Sequence, residues 1–411
     1  MSRRKRWQNV RGAESRVREP RERVLAAAAS AAAGLIAPLL RKASGVAPRD
    51  ILVLRLDRIG DVLMSLPAIS ALRRELPAAR IRLAVGEWSR EVARDAPVDE
   101  VLIWNAPWVG RSDEGAESIS TLFRHARALA KQPPDLALDL QGDLRAVWLL
   151  AATGAADRAG YANTGSAAFL TRTISLDEDV SFVEQNYRAI EATLGRALPR
   201  QPFSWIDAPG RARGREALRS ALRAASISSA GPVVGIHPGA GRTIKEWPVE
   251  RFSELGARLV KAFGVTLVLT GSAGESEKTR RIAQAVPGPV VDLAGRQTFR
   301  ELAETMSAFD AFVSCDTSAM HVACAIGLPS VAIFGPSDPA RYFSGGAQGF
   351  GSKASHVAVR PDLWCSPCNL IRNPPAECGA ASVPECLDRI GVDLVYAALV
   401  RILEPGRLSC G

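Results

Sequence analysis

The chain predicts an α/β protein of two parallel sheets with helices on both faces, and three observations carry that expectation. From residue 50 onward, short aliphatic and β-branched runs alternate with segments of helical length and spacing. The alternation lapses over about 197–230, where turn-forming residues gather, and restarts at 233. Each half opens with an apolar run followed directly by a glycine-bearing loop. At 411 residues, 47% hydrophobic and 23% charged, the chain is long enough to bury two cores.

In the first half, ILVLR from 51, IRLAV from 81, VLIW from 101 and LALDL from 136 read as strands buried on both faces, because their apolar residues run on instead of alternating. The first loop and helix are RLDRIGDVLMSLPAISALRREL, residues 55–76. Gly60 permits the tight turn, and Leu63, Leu66, Ile69 and Leu72 form an apolar face at helical spacing. Asp61 stands at the start of that helix. It reads either as an N-cap or as a carboxylate held at the sheet edge as a general base, with Arg55 and Arg58 nearby.

The second half brings VVGIH at 233, VTLVLT at 265, PVVDL at 289, DAFVS at 310 and SVAIF at 330. After the first of these comes HPGAGRTIKEWP, residues 237–248. Beside His237, the small residues Gly239, Ala240 and Gly241 let backbone approach a ligand closely, and Lys245 offers a point charge suited to phosphate. The spacing is not that of a Walker A loop, and a surface lysine after an ordinary turn is the plainer reading. In TGSAGESEK, Glu275 at a helix start either complements the dipole or accepts hydrogen bonds from a ribose diol. The richest stretch is 310–339, DAFVSCDTSAMHVACAIGLPSVAIFGPSDP. Its polar residues Asp316, Thr317, Ser318 and His321 sit where a strand gives way to a helix, the edge at which open parallel sheets bind ligands and where free N–H groups suit a pyrophosphate.

These patterns predict two Rossmann-like domains with a ligand cleft between them. The expected layout is a basic and Ala-rich extension at 1–48, an N-terminal Rossmann-like domain at 49–205, a linker at 206–230, a C-terminal Rossmann-like domain at 231–390, and a C-terminal helix and tail at 391–411. Of the formal charge of +9, residues 1–23 supply nine Arg and Lys against three Glu, which leaves +3 for everything else. A body so mildly basic does not predict a nucleic-acid partner. The alanine-rich run at 24–40 is too weakly apolar for a spanning helix, and the 23-residue charged run before it does not suit a signal peptide. Two readings stay open for this extension: a loose arm leading into a helix, or peripheral attachment to an anionic membrane.

Cys365, Cys368, Cys378 and Cys386 form a dense series that suits a structural cluster, a bound metal or plain thiols; Cys315 and Cys324 read as buried filler, and Cys410 lies near the terminus. Asp177 and Asp179 lie in an acidic turn, not at a strand end, so no metal clamp and no cofactor is expected.

The segments RLDRIGDVLMSLPAI, LDLQGDLR, HPGAGRTIKEWP, GSAGESEK, DLAGRQTFRELAETMSAFDAFVSCDTSAMHVACAIGLPSVAIFGPSDP and the late CSPC resemble, in order and over about residues 50–390, glycosyltransferase family 9. These are the heptosyltransferases that move heptose from an ADP-sugar during lipopolysaccharide core assembly. The resemblance implies a GT-B fold, with acceptor bound mainly by the N-terminal half and an ADP-heptose donor by the C-terminal half. By position it implies that Asp61 is the catalytic base and that Lys245 neutralises the donor phosphates. It further implies that Glu275 contacts the nucleoside, that Asp316, Thr317 and His321 belong to the donor loop, and that Arg58, Gln141 and Arg145 face an anionic saccharide or glycolipid acceptor. The family usually carries glycine after its Asp-Thr or Asp-Ser pair. Here Ser318 stands in that place, where a side chain either crowds a diphosphate or adds a hydrogen bond to it. The implied setting is the cytoplasm or the inner face of the plasma membrane. Another nucleotide-sugar donor, a nucleotide-sugar epimerase on a similar scaffold, and a non-catalytic carbohydrate-binding protein are the alternatives.

Overall fold

Among the described residues, two sets of six strands account for the architecture, each formed from its own half of the chain. The computed structural model describes residues 47–109, 115–161, 167–228, 231–347, 349–352, 354–371 and 374–404. The basic arm, the alanine-rich run and Cys410 lie outside the described residues. The chain divides into two units, Met1–Gln201 and Pro202–Gly411.

In the first unit the strands are β1 (Asp50–Leu54), β2 (Arg80–Val85), β3 (Glu100–Ile103), β4 (Leu136–Asp139), β5 (Asp157–Tyr161) and β6 (Arg172–Ile174). All pair in parallel, in the order β3-β2-β1-β4-β5-β6. The helices are α1 (Ile59–Glu75), α2 (Arg90–Arg94), α3 (Ile119–Leu129), α4 (Leu144–Ala152) and α5 (Phe182–Leu194). Leu52 and Leu54 of β1, Ala84 of β2 and Ala137 of β4 pack with Leu122 and Ala126 of α3 and Leu149 and Leu150 of α4 to form one face of the core. The four strands expected from apolar runs are present. β5 and β6 are not legible as runs, because DRAGY and RTI carry charge and glycine; Arg158 and Arg172 satisfy those charges by bonding to Phe169 O and Asp157.

The second unit repeats the winding with β7 (Val233–His237), β8 (Thr266–Leu269), β9 (Val290–Asp292), β10 (Ala311–Cys315), β11 (Ser330–Ile333) and β12 (His356–Val359), in the order β12-β11-β10-β7-β8-β9, again all parallel. Its helices are α6 (Ala208–Ala224), α7 (Val249–Phe263), α8 (Ser276–Ala285), α9 (Phe299–Met306), α10 (Ser318–Ile326), α11 (Pro339–Tyr342), α12 (Ala376–Ala380), α13 (Glu385–Asp388) and α14 (Val392–Leu403). Val234, Ile236, Leu267, Val313 and Val331 of the sheet meet Phe252, Leu255 and Leu259 of α7 and Val395 and Leu399 of α14.

Much of the stretch read as a linker is the helix α6, capped by Asp207 and packed on α9. Its mean polarity hid it, but Gly214 marks the contact. A Cβ there would fall 1.7 Å from the Glu304 carbonyl oxygen, so the two backbones meet where only glycine fits. Arg213 and Arg300 both bond to the Glu304 carboxylate beside this contact, and they hold it below its ordinary range.

In each sheet the chain starts at a central strand, runs out to one edge, then returns to the other side of that first strand. The order therefore reverses between β1 and β4 in the first unit and between β7 and β10 in the second. Loops leaving the carboxyl ends of those strand pairs line the crevice where such sheets bind ligands. Among the described residues, no helix is long and apolar enough to cross a membrane.

Candidate active site

At the β1/β4 reversal, the loop after β1 and the first turn of α1 carry Arg55, Asp57, Arg58 and Asp61, and the loop after β4 and the first turn of α4 carry Gln141, Asp143 and Arg145. The N-cap reading of Asp61 is corrected: the backbone turns helical at Ile59, so Arg58 is the N-cap residue and Asp61 is the third residue of α1. There its carboxylate complements the helix dipole without capping the helix by its side chain. Asp61 is about one third exposed, and Arg55 Nη2 lies 3.9 Å from its Oδ1. The Arg58 guanidinium lies 5.5 Å from the centre of the Trp88 ring, and the indole N–H of Trp88 donates to Asp57 O at 2.7 Å. Gly86 makes that arrangement possible, since a Cβ would fall 2.2 Å from the indole.

Gln141 and Arg145, expected on the acceptor side, are held by their neighbours. Gln141 Nε2 donates to Asp57 Oδ1 at 3.0 Å. Arg145 grips Asp143, the N-cap of α4, through Nε and Nη2 at 2.8 and 2.7 Å, and it lies 4.5 Å from the Trp108 ring centre. Asp139, at the end of β4, escaped the sequence reading because it ends an apolar run. It is fully buried, and its two oxygens accept the backbone N–H groups of Gln141 and Gly142 at 2.8 and 2.9 Å. Burial pushes its carboxyl up to about 7, with Asp57 and Asp143 adding to the rise and the two N–H bonds opposing it.

At the β7/β10 reversal the chemistry is cationic and anionic together. Lys245, in a short 3-10 turn, donates from Nζ to Asp316 Oδ2 at 2.8 Å, with side chains 17% and 6% exposed. Desolvation is the strongest influence on Asp316 and raises its pKa, but the Lys245 ammonium, by charge and hydrogen bond, heads the opposing interactions, which hold the carboxyl below its ordinary value. Trp247 fixes the turn: its indole N–H donates to Ile390 O at 2.9 Å and its backbone N–H meets Cys315 Sγ at 3.2 Å. Cys315 therefore anchors the loop as well as filling space; burial pushes its thiol up to about 12.

His237 ends β7, buried, with Nδ1 3.1 Å from Thr270 Oγ1 and Nε2 3.9 Å from Glu275 Oε2. Burial lowers its pKa most, while Glu275 opposes the shift and Lys278 adds to it. Glu275 forms a capping box with Ser272, accepting its backbone N–H at 2.7 Å and its hydroxyl at 2.8 Å. The small residue at 239 serves this carboxylate directly, for a Cβ on Gly239 would lie 1.7 Å from Glu275 Oε1, whereas one on Gly241 would meet nothing within 4 Å. Two further residues join the site. Glu246 Oε1 accepts from Ala240 N at 3.3 Å and from Lys278 Nζ at 2.5 Å, pinning the loop from below. Both lie inside the HPGAGRTIKEWP and GSAGESEK segments, where nothing local sets either apart from the charged residue beside it.

Thr317 is the N-cap of α10 in extended backbone, but its side chain makes no capping bond; Ser318 is the first helical residue. His321 is buried, with Nδ1 3.0 Å from Ser344 Oγ. The Asp177–Asp179 turn is closed on itself: Asp179 N donates to Asp177 Oδ1 at 2.9 Å, and Arg188 pairs with Asp177. Cys365, Cys368, Cys378 and Cys386 are free thiols. Burial, and then the charge of the neighbouring cysteines, disfavours ionisation of Cys365 and Cys386, the latter pushed up to about 12. Among the described residues, no three His, Cys, Asp or Glu side chains are grouped to hold a metal ion.

Comparison with known proteins gives this geometry its family. Lipopolysaccharide heptosyltransferase 1 of Pseudomonas aeruginosa is 26% identical over 333 residues, 77% of this chain and 85% of that protein. The solved structure of the E. coli ADP-heptose lipopolysaccharide heptosyltransferase II superposes with a TM-score of 0.64 at 21% identity, covering 87% of this chain and 99% of that one. An E. coli heptosyltransferase with ADP-2-deoxy-2-fluoro heptose superposes with a TM-score of 0.59 at 19% identity, covering 85% and 98%. The two parallel six-stranded sheets are those of the GT-B fold. Residues 122–375 match glycosyltransferase family 9 (heptosyltransferase), so the chain belongs to that family and is a glycosyltransferase.

Proposed function

We propose that the enzyme transfers heptose from ADP-heptose to a lipopolysaccharide core-type saccharide of the cell envelope. The observation that carries the donor half is the Lys245–Asp316 pair at the β7/β10 reversal, beside a helix N-terminus that its own N-cap residue leaves uncapped. A diphosphate suits that place, because it accepts from backbone N–H groups and exchanges for the carboxylate as partner of the ammonium. His237, Gly239, Ala240, Gly241 and Glu275 then form the nucleoside side, and Thr317, Ser318 and His321 the phosphate and sugar side. ADP-heptose is the donor named for the similar E. coli heptosyltransferase II.

In this reading the acceptor hydroxyl attacks the anomeric carbon in line with the departing diphosphate. The new bond forms between acceptor oxygen and anomeric carbon as the bond from that carbon to the diphosphate oxygen breaks. The hydroxyl proton passes to the Asp61 carboxylate, and ADP leaves with the bonding pair, its charge met by Lys245 and the N–H groups of α10. Arg58, Gln141 and Arg145 border the acceptor, whose anionic groups suit arginines backed by Trp88 and Trp108. The protein would act at the inner face of the plasma membrane, where its basic extension meets anionic lipid.

The test is release of nucleotide from a panel of ADP-, UDP- and GDP-sugars in the presence of a heptose-deficient core acceptor. ADP release from ADP-heptose with acceptor gaining one heptose supports the reading. Turnover of a UDP-sugar with none of ADP-heptose removes it.

A further inference from the structure

Arg55 follows β1 directly and brings a guanidinium, with its five N–H donors, to a place where it is 2% exposed. Such a group persists in an interior only where its donors are matched. Its Nη1 donates to Leu140 O, in the loop after β4, and lies 3.2 Å from Asp57 Oδ2. Its Nε donates to Asp61 O at 3.2 Å, and its Nη2 faces the Asp61 carboxylate at 3.9 Å. One planar fork therefore spans the sheet reversal, bonding the backbone carbonyl of Asp61 and facing its carboxylate. The loop it reaches is fixed in turn: Gln141 bonds to Asp57, and the buried Asp139 holds Gln141 and Gly142 by their backbone N–H groups.

We infer that Arg55 is the positioning residue of Asp61, setting where the carboxylate stands relative to both loops without touching substrate. The inference rests on Asp61 being the base. A lysine would keep the charge, but its single ammonium cannot reach Leu140 O, Asp57 and the carbonyl and carboxylate of Asp61 together. Displacement of a reacting group by about 1 Å costs on the order of 100-fold in rate.

The experiment compares Arg55→Lys, Asp61→Asn and the double variant in the full chain, with ADP-heptose and a heptose-deficient core acceptor, reading slow transfer over hours by product mass. Arg55→Lys is expected to lower kcat about 10- to 100-fold and to leave KM for the donor within about twofold. On the Asp61→Asn background it is expected to have no further effect, because a positioning residue acts only through the group it positions. If Arg55→Lys lowers the residual rate of Asp61→Asn by its full factor, or leaves wild-type kcat unchanged, the positioning role is overturned. Should Arg55→Lys fail to fold by thermal melt, Asp57→Asn, which neutralises the other carboxylate on the fork, undergoes the same comparison with a smaller expected loss of about 3- to 10-fold; an unchanged or fully additive result overturns the proposal equally. Full activity in Asp61→Asn removes the base itself, whereas an inactive Asp61→Asn beside a fully active Arg55→Lys removes only the role of Arg55.

Discussion

Replacing Lys245 with methionine removes one partner of a pair that is almost wholly buried, and the two consequences can be separated. Asp316 would be left 6% exposed with no cation at 2.8 Å. Breaking a buried pair from one side costs about 3–5 kcal/mol. The carboxylate escapes part of that by taking a proton, which at pH 7 costs about 4 kcal/mol for a carboxyl of ordinary pKa, so the loss is capped near that figure. With Lys245 itself 17% exposed, about 3 kcal/mol is expected. In a unit of some 200 residues this lowers Tm by about 6–12 °C. The sign with pH follows from the lowered pKa of Asp316. The pair's contribution is present above the unfolded carboxyl value of about 3.9 and lost as pH falls through the lower folded one, so the deficit of the variant is full at neutral pH and shrinks only as pH falls below about 4. Differential scanning fluorimetry measures this alongside transfer activity. The double variant Lys245→Met, Asp316→Asn should recover most of the lost Tm and none of the lost transfer. A single variant that melts within a degree of the wild type, or a double variant that recovers transfer, refutes the reasoning.

Three other outcomes follow from the same geometry. Asp61→Asn should fold, since Asp61 sits inside the first turn and does not cap it, and should lower transfer by at least about 100-fold while binding ADP normally; wild-type turnover would defeat the base. Gly239→Ala should push Glu275 out of its capping box, weaken ADP binding by titration calorimetry and cost about 1 kcal/mol of stability; unchanged affinity would mean that Glu275 does not serve the nucleoside. Asp139, with its folded value raised to about 7, makes the protein less stable as pH rises from about 4 to 7, because the unfolded chain ionises first. Asp139→Asn should flatten that part of the Tm profile, and an unaltered slope would mean that Asp139 is already ionised when folded.

Apolar runs and glycine-bearing loops made both sheets legible, because strands buried on two faces must be continuously apolar and the turns after them need small residues. Strands with charged or small residues, such as Asp157–Tyr161, could not be read this way, since their polar side chains are paid for by long-range bonds that no local pattern records. The helix at Ala208–Ala224 was hidden for a similar reason: one glycine against Glu304, and not an apolar stripe, docks it. At the site, Glu246, Lys278 and Asp139 stand inside the quoted segments, yet nothing local marks them: Glu246 and Lys278 pair between loops, and Asp139 holds the turn after its strand by two backbone N–H groups. Gln141 and Arg145 lay in a motif, but their direction was set by Asp57 and Asp143.

The most direct measurement incubates the full chain with ADP-heptose and a heptose-deficient core acceptor and follows both nucleotide and glycan by mass spectrometry. The account predicts one ADP released for each heptose gained by the acceptor, with both signals cut by at least about 100-fold in Asp61→Asn. ADP-heptose left intact while another nucleotide-sugar is consumed, or equal turnover by Asp61→Asn, would contradict it.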